Sequence, residues 1–524
     1  MNNPAISETT IPKDRRHDLD ALRAMAMLLG ILLHALLSFV PAAWIVQDSQ
    51  AGNWAAPIVT AIHGFRMPLF FLISGFFTAM LWRNRGLRPL IKNRVKRIVL
   101  PLLISMFTIV PAVWIVLGLV TSSKTIQPSK ALLKSAVEAS NFDDALSLPM
   151  LEAALRNNTE EVSQLISRGA NPNATDERGS TAMHLACLFG YSDLADILLD
   201  SGADPAIVNA DRSRPTDTLV APWGLTRFYA DLLQVSLDRD AVAAGRDKIA
   251  QRLNVVIESR NSVANSADTD ISGLTWTLLY FPVFQHLWFL WFLCWLVTGF
   301  ALCIIIGNYL RIPNLPQWII FSTWRYAWLV PLVAIPQYFM TTIGADTSSG
   351  LLPLPKVLFY YAIFFGFGAL YFDAKDTQGL VGQHWWVALP LSIFVLLPTA
   401  IQLQQSSSPI GHLVAVLCSA TYAWLVSFGL MGLFRRHVSA HSRPLRYLSD
   451  SSYWLYIVHL PLIIYLQYLV KDWPLTAWLK IPLICLMTSG ILLLSYDWFV
   501  RYTPIGTLLN GPRNRSPSIA KANE

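Results

Sequence analysis

The chain has 524 residues, of which 54% are hydrophobic and only 14% are charged. This composition excludes an ordinary soluble protein and predicts a membrane protein with many spans. The formal net charge is +7, no Gly-rich phosphate loop stands out, and the five cysteines show no paired spacing. The sequence therefore predicts no disulfide, no metal site, no tightly bound cofactor and no nucleic-acid partner.

About ten apolar segments are long enough to cross the roughly 30 Å of hydrocarbon in a bilayer. They lie near residues 20–42, 56–81, 98–120, 283–306, 317–341, 355–372, 385–402, 410–433, 451–470 and 478–500. The fifth segment is irregular because prolines crowd and interrupt it and Arg325 falls inside it or at its edge. The predicted fold class is an all-α, polytopic helical membrane protein.

Basic residues cluster in the turns that a ten-span topology places on one side of the membrane. These residues are Arg83, Arg85, Arg88, Lys92, Arg94, Lys96 and Arg97 after segment two, and Arg435, Arg436, Arg443 and Arg446 after segment eight. The N-terminus and the tail after segment ten are basic as well. Because loops rich in lysine and arginine stay in the cytoplasm, we expect this side and both termini to be cytoplasmic.

The first apolar segment carries an arginine and a histidine, Arg23 and His34, with Asp20 just before them. At about 100° per residue, their spacing places both side chains on one helix face, roughly 16 Å apart along the axis. Arg23 then lies near one membrane surface and His34 well inside. Burying an ionisable side chain in a membrane is costly, so His34 is a candidate functional residue, able when neutral to remove a proton from a hydroxyl.

The second segment runs toward the basic side and carries His63 and Arg66 at a depth comparable with His34. Two ionisable residues three positions apart in an apolar helix favour a functional role over a structural one. Further along, Gly75 predicts a close approach between helices. Its neighbour Ser74 is either an acyl carrier or, as is more common beside a glycine in a packed helix, a packing residue.

Arg94 and Arg97 lie at the start of segment three. Their charges are typical of a topology signal, but a guanidinium cluster at the mouth of a span also suits the phosphates of a soluble donor. Both interpretations remain open from charge alone.

Two further histidines fall in later segments. His286 precedes several tryptophans at the start of segment four, a pattern that favours an interfacial aromatic belt. His459 follows Tyr456 near the middle of segment nine, where an unpaired histidine is costly. We therefore expect His459 to pair with a polar group inside the bundle.

Residues 121–272 interrupt the membrane pattern with a polar insert that holds 21 acidic and 14 basic residues. The stretch 176–190 resembles an ankyrin repeat, with Ala182 in place of the usual proline, and partial repeats flank it. His184 is expected to make turn hydrogen bonds and to have a structural role. The insert is predicted to be an ankyrin-repeat domain (an α-solenoid) that binds a protein partner, and the topology places it outside the cytoplasm.

The membrane segments resemble the acyltransferase-3 family of integral membrane acyltransferases, and are closest to a branch of periplasmic glucan succinyltransferases. The resemblance rests on four stretches: residues 20–23 with His34, residues 67–76, the pair Arg94 and Arg97, and residues 456–459. It covers roughly residues 15–120 and 275–505 and implies ten core spans in a bacterial inner membrane. Ala24, where many members have glycine, and the insert depart from the pattern.

The resemblance implies transfer of an acyl group, succinyl or acetyl, from cytoplasmic acyl-CoA to a hydroxyl of an extracytoplasmic glucan or other polysaccharide. It implies that His34 is catalytic and that Arg23 assists it while binding acyl-CoA together with the later arginine pair. We assign the remaining predicted site residues as follows: substrate-binding Arg66, His63, Arg94, Arg97 and His459, and supporting Asp20, Ser74 and Tyr456. Arg66 is a candidate partner for a succinyl carboxylate.

The predicted domain organisation is a first membrane part at 1–120, the insert at 121–272, a second membrane part at 273–505 and a basic cytoplasmic tail at 506–524.

Two other functions fit the same sequence features. Buried histidines and arginines also suit a transporter or flippase, although no inverted repeat is visible. A membrane-anchored ankyrin interaction protein is the other alternative, but ten spans with ionisable interior residues exceed what an anchor needs.

Overall fold

A computed structural model describes most of the chain. The described residues are 16–41, 44–122, 146–176, 179–209, 213–221, 237–254, 282–311, 316–340, 343–404, 408–438 and 442–511, with isolated short pieces between 222 and 281. The predicted end of the insert at 272 and the charged residues of the basic tail lie outside these ranges, as do the first fifteen residues. The predicted domain limits therefore remain predictions.

Helices make up the membrane part on both sides of the insert. Before the insert these are α1 (His17–Leu37), α2 (Ala56–Arg85), α3 (Leu87–Arg94) and α4 (Leu100–Ser122), the last two joined by a π-helical turn at Val95–Val99. The insert holds α5 (Ser147–Leu155), α6 (Thr159–Ser167), α7 (Ala182–Phe189), α8 (Ser192–Asp200) and α9 (Arg239–Arg252).

The second membrane part begins with a short 3-10 turn, Gln285–Leu287, that leads into a long helix. Its helices are α10 (Trp288–Tyr309), α11 (Gln317–Phe321), α12 (Arg325–Tyr338), α13 (Pro355–Asp373), α14 (Trp385–Leu391), α15 (Leu397–Gln404), α16 (Pro409–His437), α17 (Arg443–Val470), α18 (Ala477–Ser495) and α19 (Pro504–Asn510). A π-helical turn at Ser392–Leu396 joins α14 to α15 into one span. The predicted all-α, multi-pass membrane fold is confirmed.

Nine helices among the described residues are long and apolar enough to cross a membrane. The fifth predicted segment instead divides into α11 and the 14-residue α12. Arg325 at the start of α12 donates a hydrogen bond to the Val381 carbonyl, 3.0 Å away, in the loop that follows α13. At the far end of α12, the Tyr338 carbonyl accepts a hydrogen bond of 3.1 Å from His412, near the start of α16. The short helix therefore connects the two ends of the bundle.

Those two ends differ in charge. The basic end carries Arg83 and Arg85 at the end of α2, and Arg83 forms an ion pair of 2.6 Å with Asp373 at the end of α13. The opposite end contains the loop between α1 and α2, where Asp48 pairs with Lys480 at 2.9 Å. Chain direction places the end of α4 and the start of α10 at this opposite end, so the insert joins the bundle there.

Small residues let α2 and α13 pack with their backbones in contact. A Cβ atom added to Gly75 would lie 2.8 Å from the Phe365 carbonyl carbon, and one added to Gly368 would lie 2.8 Å from that of Leu72. Such distances are shorter than real Cβ contacts. The close approach predicted from Gly75 is confirmed, and it fixes the helix that carries His63 and Arg66.

The insert has its own core, formed by α5 to α9. Thr181 N–H donates to His184 Nδ1 at 3.0 Å, which closes the capping box of α7. His184 Nε2 donates to the Ser213 carbonyl, also at 3.0 Å. Gly190 ends α7 with φ of +69°, a left-handed conformation that suits glycine. The turn hydrogen bonds predicted for His184 are confirmed.

Candidate active site

Helices α1 and α17 run side by side and touch at two levels. Toward the basic end, Arg23 Nη2 donates to Ser449 Oγ at 3.0 Å. Deeper in the bundle, His34 Nδ1 lies 3.3 Å from His459 Nε2. Both contacts are on the α17 side of α1, which confirms that Arg23 and His34 share one face. The polar pairing expected for His459 is also confirmed, since its partner is His34.

The hydrogen bonds fix which nitrogen of each neutral ring carries the hydrogen. His34 Nδ1 lies 2.8 Å from the Gly30 carbonyl and His459 Nδ1 lies 2.7 Å from the Tyr456 carbonyl. A carbonyl oxygen can only accept, so both Nδ1 atoms are donors. His459 Nε2 therefore has a lone pair, which faces the His34 Nδ1–H. His34 Nε2 is left unprotonated and makes no hydrogen bond with any described residue.

His286 brings a third imidazole to the same place. Its ring is perpendicular to that of His459, with the two centroids 5.2 Å apart. Its Nε2 donates to the Ile457 carbonyl at 2.9 Å, and the Tyr456 hydroxyl donates to the His286 carbonyl at 2.6 Å. His286 is only 9% exposed and the following Trp288 only 7%. The interfacial-belt interpretation of His286 is therefore wrong, because packing of α10 against α2 and α17 buries this position.

Arg66 is the cation of this site. Its guanidinium lies against the backbone of α1 at Gly30, in the space that a side chain at that position would occupy. Its Nε is buried without a hydrogen bond, and no carboxylate of the described residues pairs with it. One turn away, His63 Nε2 donates to the Ala345 carbonyl at 3.0 Å. A buried positive charge is costly unless paired, so Arg66 suits an anionic or strongly polar ligand.

The basic end holds a second group of charges, formed by Arg23, Arg94 and Arg97, which are close enough for their charges to interact. Arg94 Nη2 donates to Thr78 Oγ1 at 2.8 Å, while its Nε is buried without a partner. The backbone carbonyl of Arg97 accepts a hydrogen bond of 2.7 Å from Tyr453 on α17.

The remaining predicted residues lie apart from the histidines. Asp20 forms an ion pair of 3.6 Å with Arg23, which places it at the basic end. Ser74 lies two turns beyond Arg66, about 12 Å further along α2, and its carbonyl accepts a hydrogen bond from Thr78.

Two residues that the sequence did not single out touch His34. The Trp44 ring lies 5.6 Å from the His34 ring, between centroids, and its indole N–H donates to Gln467 Oε1 at 2.9 Å. Gln467 Nε2 in turn donates to the His34 carbonyl at 2.8 Å. The one feature of the sequence that could have pointed to Gln467 is that it is a glutamine in an apolar span, two turns after His459.

A family model described as an acyltransferase domain matches residues 16–164 and 218–497. The chain belongs to this acyltransferase family. A second model, described as ankyrin repeats in three copies, matches residues 125–209. The predictions of an acyltransferase family and of ankyrin repeats are confirmed.

Curated relatives match a shorter stretch. The chain is 40% identical over 93 residues to "Glucans biosynthesis protein C" of Escherichia coli (strain SMS-3-5 / SECEC), and 39% identical over 93 residues to the proteins of the same name in strains K12 and O1:K1 / APEC. Each match covers 18% of this chain and 24% of the relative. The matched stretch therefore spans about a quarter of these relatives.

Proposed function

We propose that the protein is a membrane O-acyltransferase that moves a succinyl group from acyl-CoA, bound at the basic end, to a hydroxyl of a glucan that enters from the opposite end. The observation that carries the proposal is that His34 Nδ1 faces two acceptors, which makes Nε2 the basic nitrogen of the neutral ring, close to the guanidinium of Arg66, whose Nε is unpartnered. Family membership and the name of the curated relatives support the reaction class and the acceptor.

His34 acts as general base and then as general acid. The acceptor hydroxyl oxygen attacks the thioester carbonyl carbon while its proton passes to His34 Nε2. The carbon–sulfur bond breaks, and coenzyme A leaves as a thiolate. His34 then returns the proton to the sulfur, which yields the ester, free coenzyme A and the original neutral histidine.

The residues proposed to bind the acyl donor and the catalytic His34 are separated along α1. Arg23, Arg94 and Arg97 bind the phosphates of coenzyme A, for which guanidinium groups are well suited. Arg23 and His34 are roughly 16 Å apart along the helix axis, so the long flexible arm of coenzyme A carries the thioester inward between α1 and α17. Arg66, with His63 one turn away, binds the free carboxylate of the succinyl group.

The basic end is cytoplasmic in this proposal, and the ankyrin module binds a protein outside the cytoplasm. The test is labelling with a membrane-impermeant maleimide in cells with a permeabilised outer membrane. Ser163→Cys in α6 should be labelled, whereas Lys92→Cys at the basic end should react only after the inner membrane is opened. The reverse pattern would place the module in the cytoplasm.

Purified protein tests the reaction. Wild type is mixed with succinyl-CoA and a glucan oligosaccharide, and free coenzyme A is quantified by mass spectrometry. We expect release that depends on the oligosaccharide and falls about 10²–10⁴-fold in His34→Ala, the usual contribution of a general base. His384→Ala, which removes an exposed histidine, is the matched control and should behave as wild type. Full activity of His34→Ala would refute the proposal.

A further inference from the structure

We infer that His459 and His286 are positioning residues that hold His34 in the tautomer whose Nε2 is the basic nitrogen. The inference rests on the proposed function for its catalytic meaning. Neither residue is assigned a reacting atom. Both ring nitrogens of His459 face protein groups, and His286 donates from Nε2 while its Nδ1 is buried without a hydrogen-bond partner.

The tautomer of His34 depends on what surrounds its Nδ1. The Gly30 carbonyl at 2.8 Å and His459 Nε2 at 3.3 Å are both acceptors directed at this atom. A hydrogen on Nε2 instead would leave the Nδ1 lone pair facing two other lone pairs. Two acceptors therefore disfavour that tautomer more strongly than the Gly30 carbonyl would alone.

His459 can accept only while its own hydrogen is held on Nδ1. That hydrogen is donated to the Tyr456 carbonyl at 2.7 Å. The position of this carbonyl depends on the turn of α17 between Tyr456 and His459, so whatever fixes the turn also fixes the acceptor that faces His34.

His286 fixes that turn through a carbonyl that the helix leaves free. Residue 461 is a proline within α17, so the Ile457 carbonyl lacks the N–H that normally bonds to it from four residues later. His286 Nε2–H supplies the missing donor at 2.9 Å. The Tyr456 hydroxyl binds back to the His286 carbonyl at 2.6 Å, which closes the contact from the other side.

The backbone before His286 is also specialised for this contact. Gln285 has φ of +47°, in the left-handed region that residues other than glycine rarely adopt. Strain of this kind persists where the surroundings enforce it and is concentrated at functional sites. Here it marks the turn that brings His286 onto α17.

Matched amide substitutions separate positioning from simple packing. In His459→Gln the amide reaches the place of Nε2 and can accept from His34, whereas in His459→Asn it reaches only the place of Nδ1. We expect kcat to be about tenfold lower in the Asn variant than in the Gln variant, the effect of one hydrogen bond to a charged ring. KM for succinyl-CoA should be unchanged in both. At position 286, where Nε2 is the donor, Gln should likewise exceed Asn.

A spectroscopic measurement tests the tautomer independently of transfer. In protein labelled with ¹⁵N-histidine, the His34 signals are identified by their loss in His34→Ala. Wild type should show a protonated Nδ1 and a bare Nε2, and His459→Asn should show a mixture of tautomers. A protonated Nε2 in wild type, or equal kcat in the Gln and Asn variants, would overturn the inference. If the spectra are as predicted but the wild type transfers no acyl group, the positioning of the His34 tautomer would be supported and the proposed function would be refuted.

Discussion

A histidine in the ankyrin module and one in the membrane bundle show how differently the same side chain is used. His184 has both ring nitrogens occupied, one accepting from Thr181 N–H and the other donating to the Ser213 carbonyl. His34 has Nδ1 occupied and Nε2 free of described partners. The ring of His184, with both nitrogens bonded, stabilises the module, whereas the lone pair of His34 is available to a substrate in the proposed function. His286 also has an unpartnered nitrogen, its buried Nδ1, but its Nε2–H binds the backbone of α17.

One buried arginine from each region, Arg246 and Arg66, differs in a similar way. Arg246 of α9 is 4% exposed and donates to the Ala221 carbonyl, the Leu188 carbonyl and the Thr226 hydroxyl. Arg66 in α2 has no hydrogen bond or ion pair among the described residues. The Nε of each arginine is buried without a partner, but the module binds the Nη atoms of Arg246 through three hydrogen bonds. The guanidinium of Arg66 has no such bonds among the described residues, which is why the proposed function assigns it a ligand.

The largest expected difference is between His34→Ala and His184→Ala. The first should reduce kcat for acyl transfer by about 10²–10⁴-fold, because it removes the general base. The second should leave kcat of the purified protein unchanged. Both are measured as coenzyme A release, with thermal unfolding as a check on folding. Loss of kcat in His184→Ala without unfolding would break the comparison.

The second prediction concerns the choice of acyl donor. Arg66→Gln should slow succinyl transfer by about ten- to a hundredfold, the effect of losing hydrogen bonds to a charged group. Transfer from acetyl-CoA, which has no free carboxylate, should fall much less. Competition between the two donors measures the ratio, and Arg66→Lys is the control that keeps the charge. Equal losses with both donors would mean that Arg66 acts on a group that the donors share.

A smaller effect is expected on the module itself. His184→Ala leaves the Thr181 N–H and the Ser213 carbonyl without their partner, which costs about 1–3 kcal/mol in free energy of unfolding. Cys187 reports on this opening because it is fully buried. Its labelling by a maleimide should become faster in His184→Ala, whereas Ser163→Ala, on the exposed side of α6, should label as wild type does.

The smallest effect is a dependence of module stability on pH. Burial lowers the pKa of His184 from its ordinary value of 6.5, because desolvation disfavours the charged ring. Below pH 6.5 the unfolded chain binds a proton at His184 that the folded module does not bind. The contribution of neutral His184 to the free energy of unfolding is therefore complete above pH 6.5 and is lost as the pH falls toward the pKa of the folded state.

The same cysteine can detect that change. Burial raises the pKa of Cys187 to about 12, so in the folded module it is a poor nucleophile. Its labelling rate, relative to that of the denatured chain at the same pH, should rise from neutral to mildly acidic pH. The relative rate in His184→Gln should not change over this range. A wild-type ratio that is constant with pH would contradict the assignment.

The sequence predicted those features that depend on regular periodicity. Apolar length located the spans, and the helical repeat placed Arg23 and His34 on one face. The fifth segment was the exception, because Arg325 binds both the Phe321 carbonyl just before it and the Val381 carbonyl in a distant loop. Desolvation cost correctly predicted that His459 is paired.

Contacts between residues far apart in the chain could not be predicted from the sequence. His286 lies 171 positions from the Ile457 carbonyl that it binds, and its neighbouring tryptophans favoured the wrong interpretation. The proline at 461 shows that a carbonyl lacks its helical donor, but not which side chain replaces it. Gln467 and Trp44 were missed for the same reason, since their contact with His34 depends on how the loop after α1 folds onto α17.

The most direct test of acyl transfer by His34 is the mass of extracytoplasmic glycans. Wild type and His34→Ala are expressed in bacteria that lack their own enzyme of this kind, and the glycans are analysed by mass spectrometry. We predict a mass increase of one or more succinyl units with wild type and none with the variant. Unmodified glycans from both strains, with the protein correctly inserted in the membrane, or succinylated glycans from both, would contradict the account.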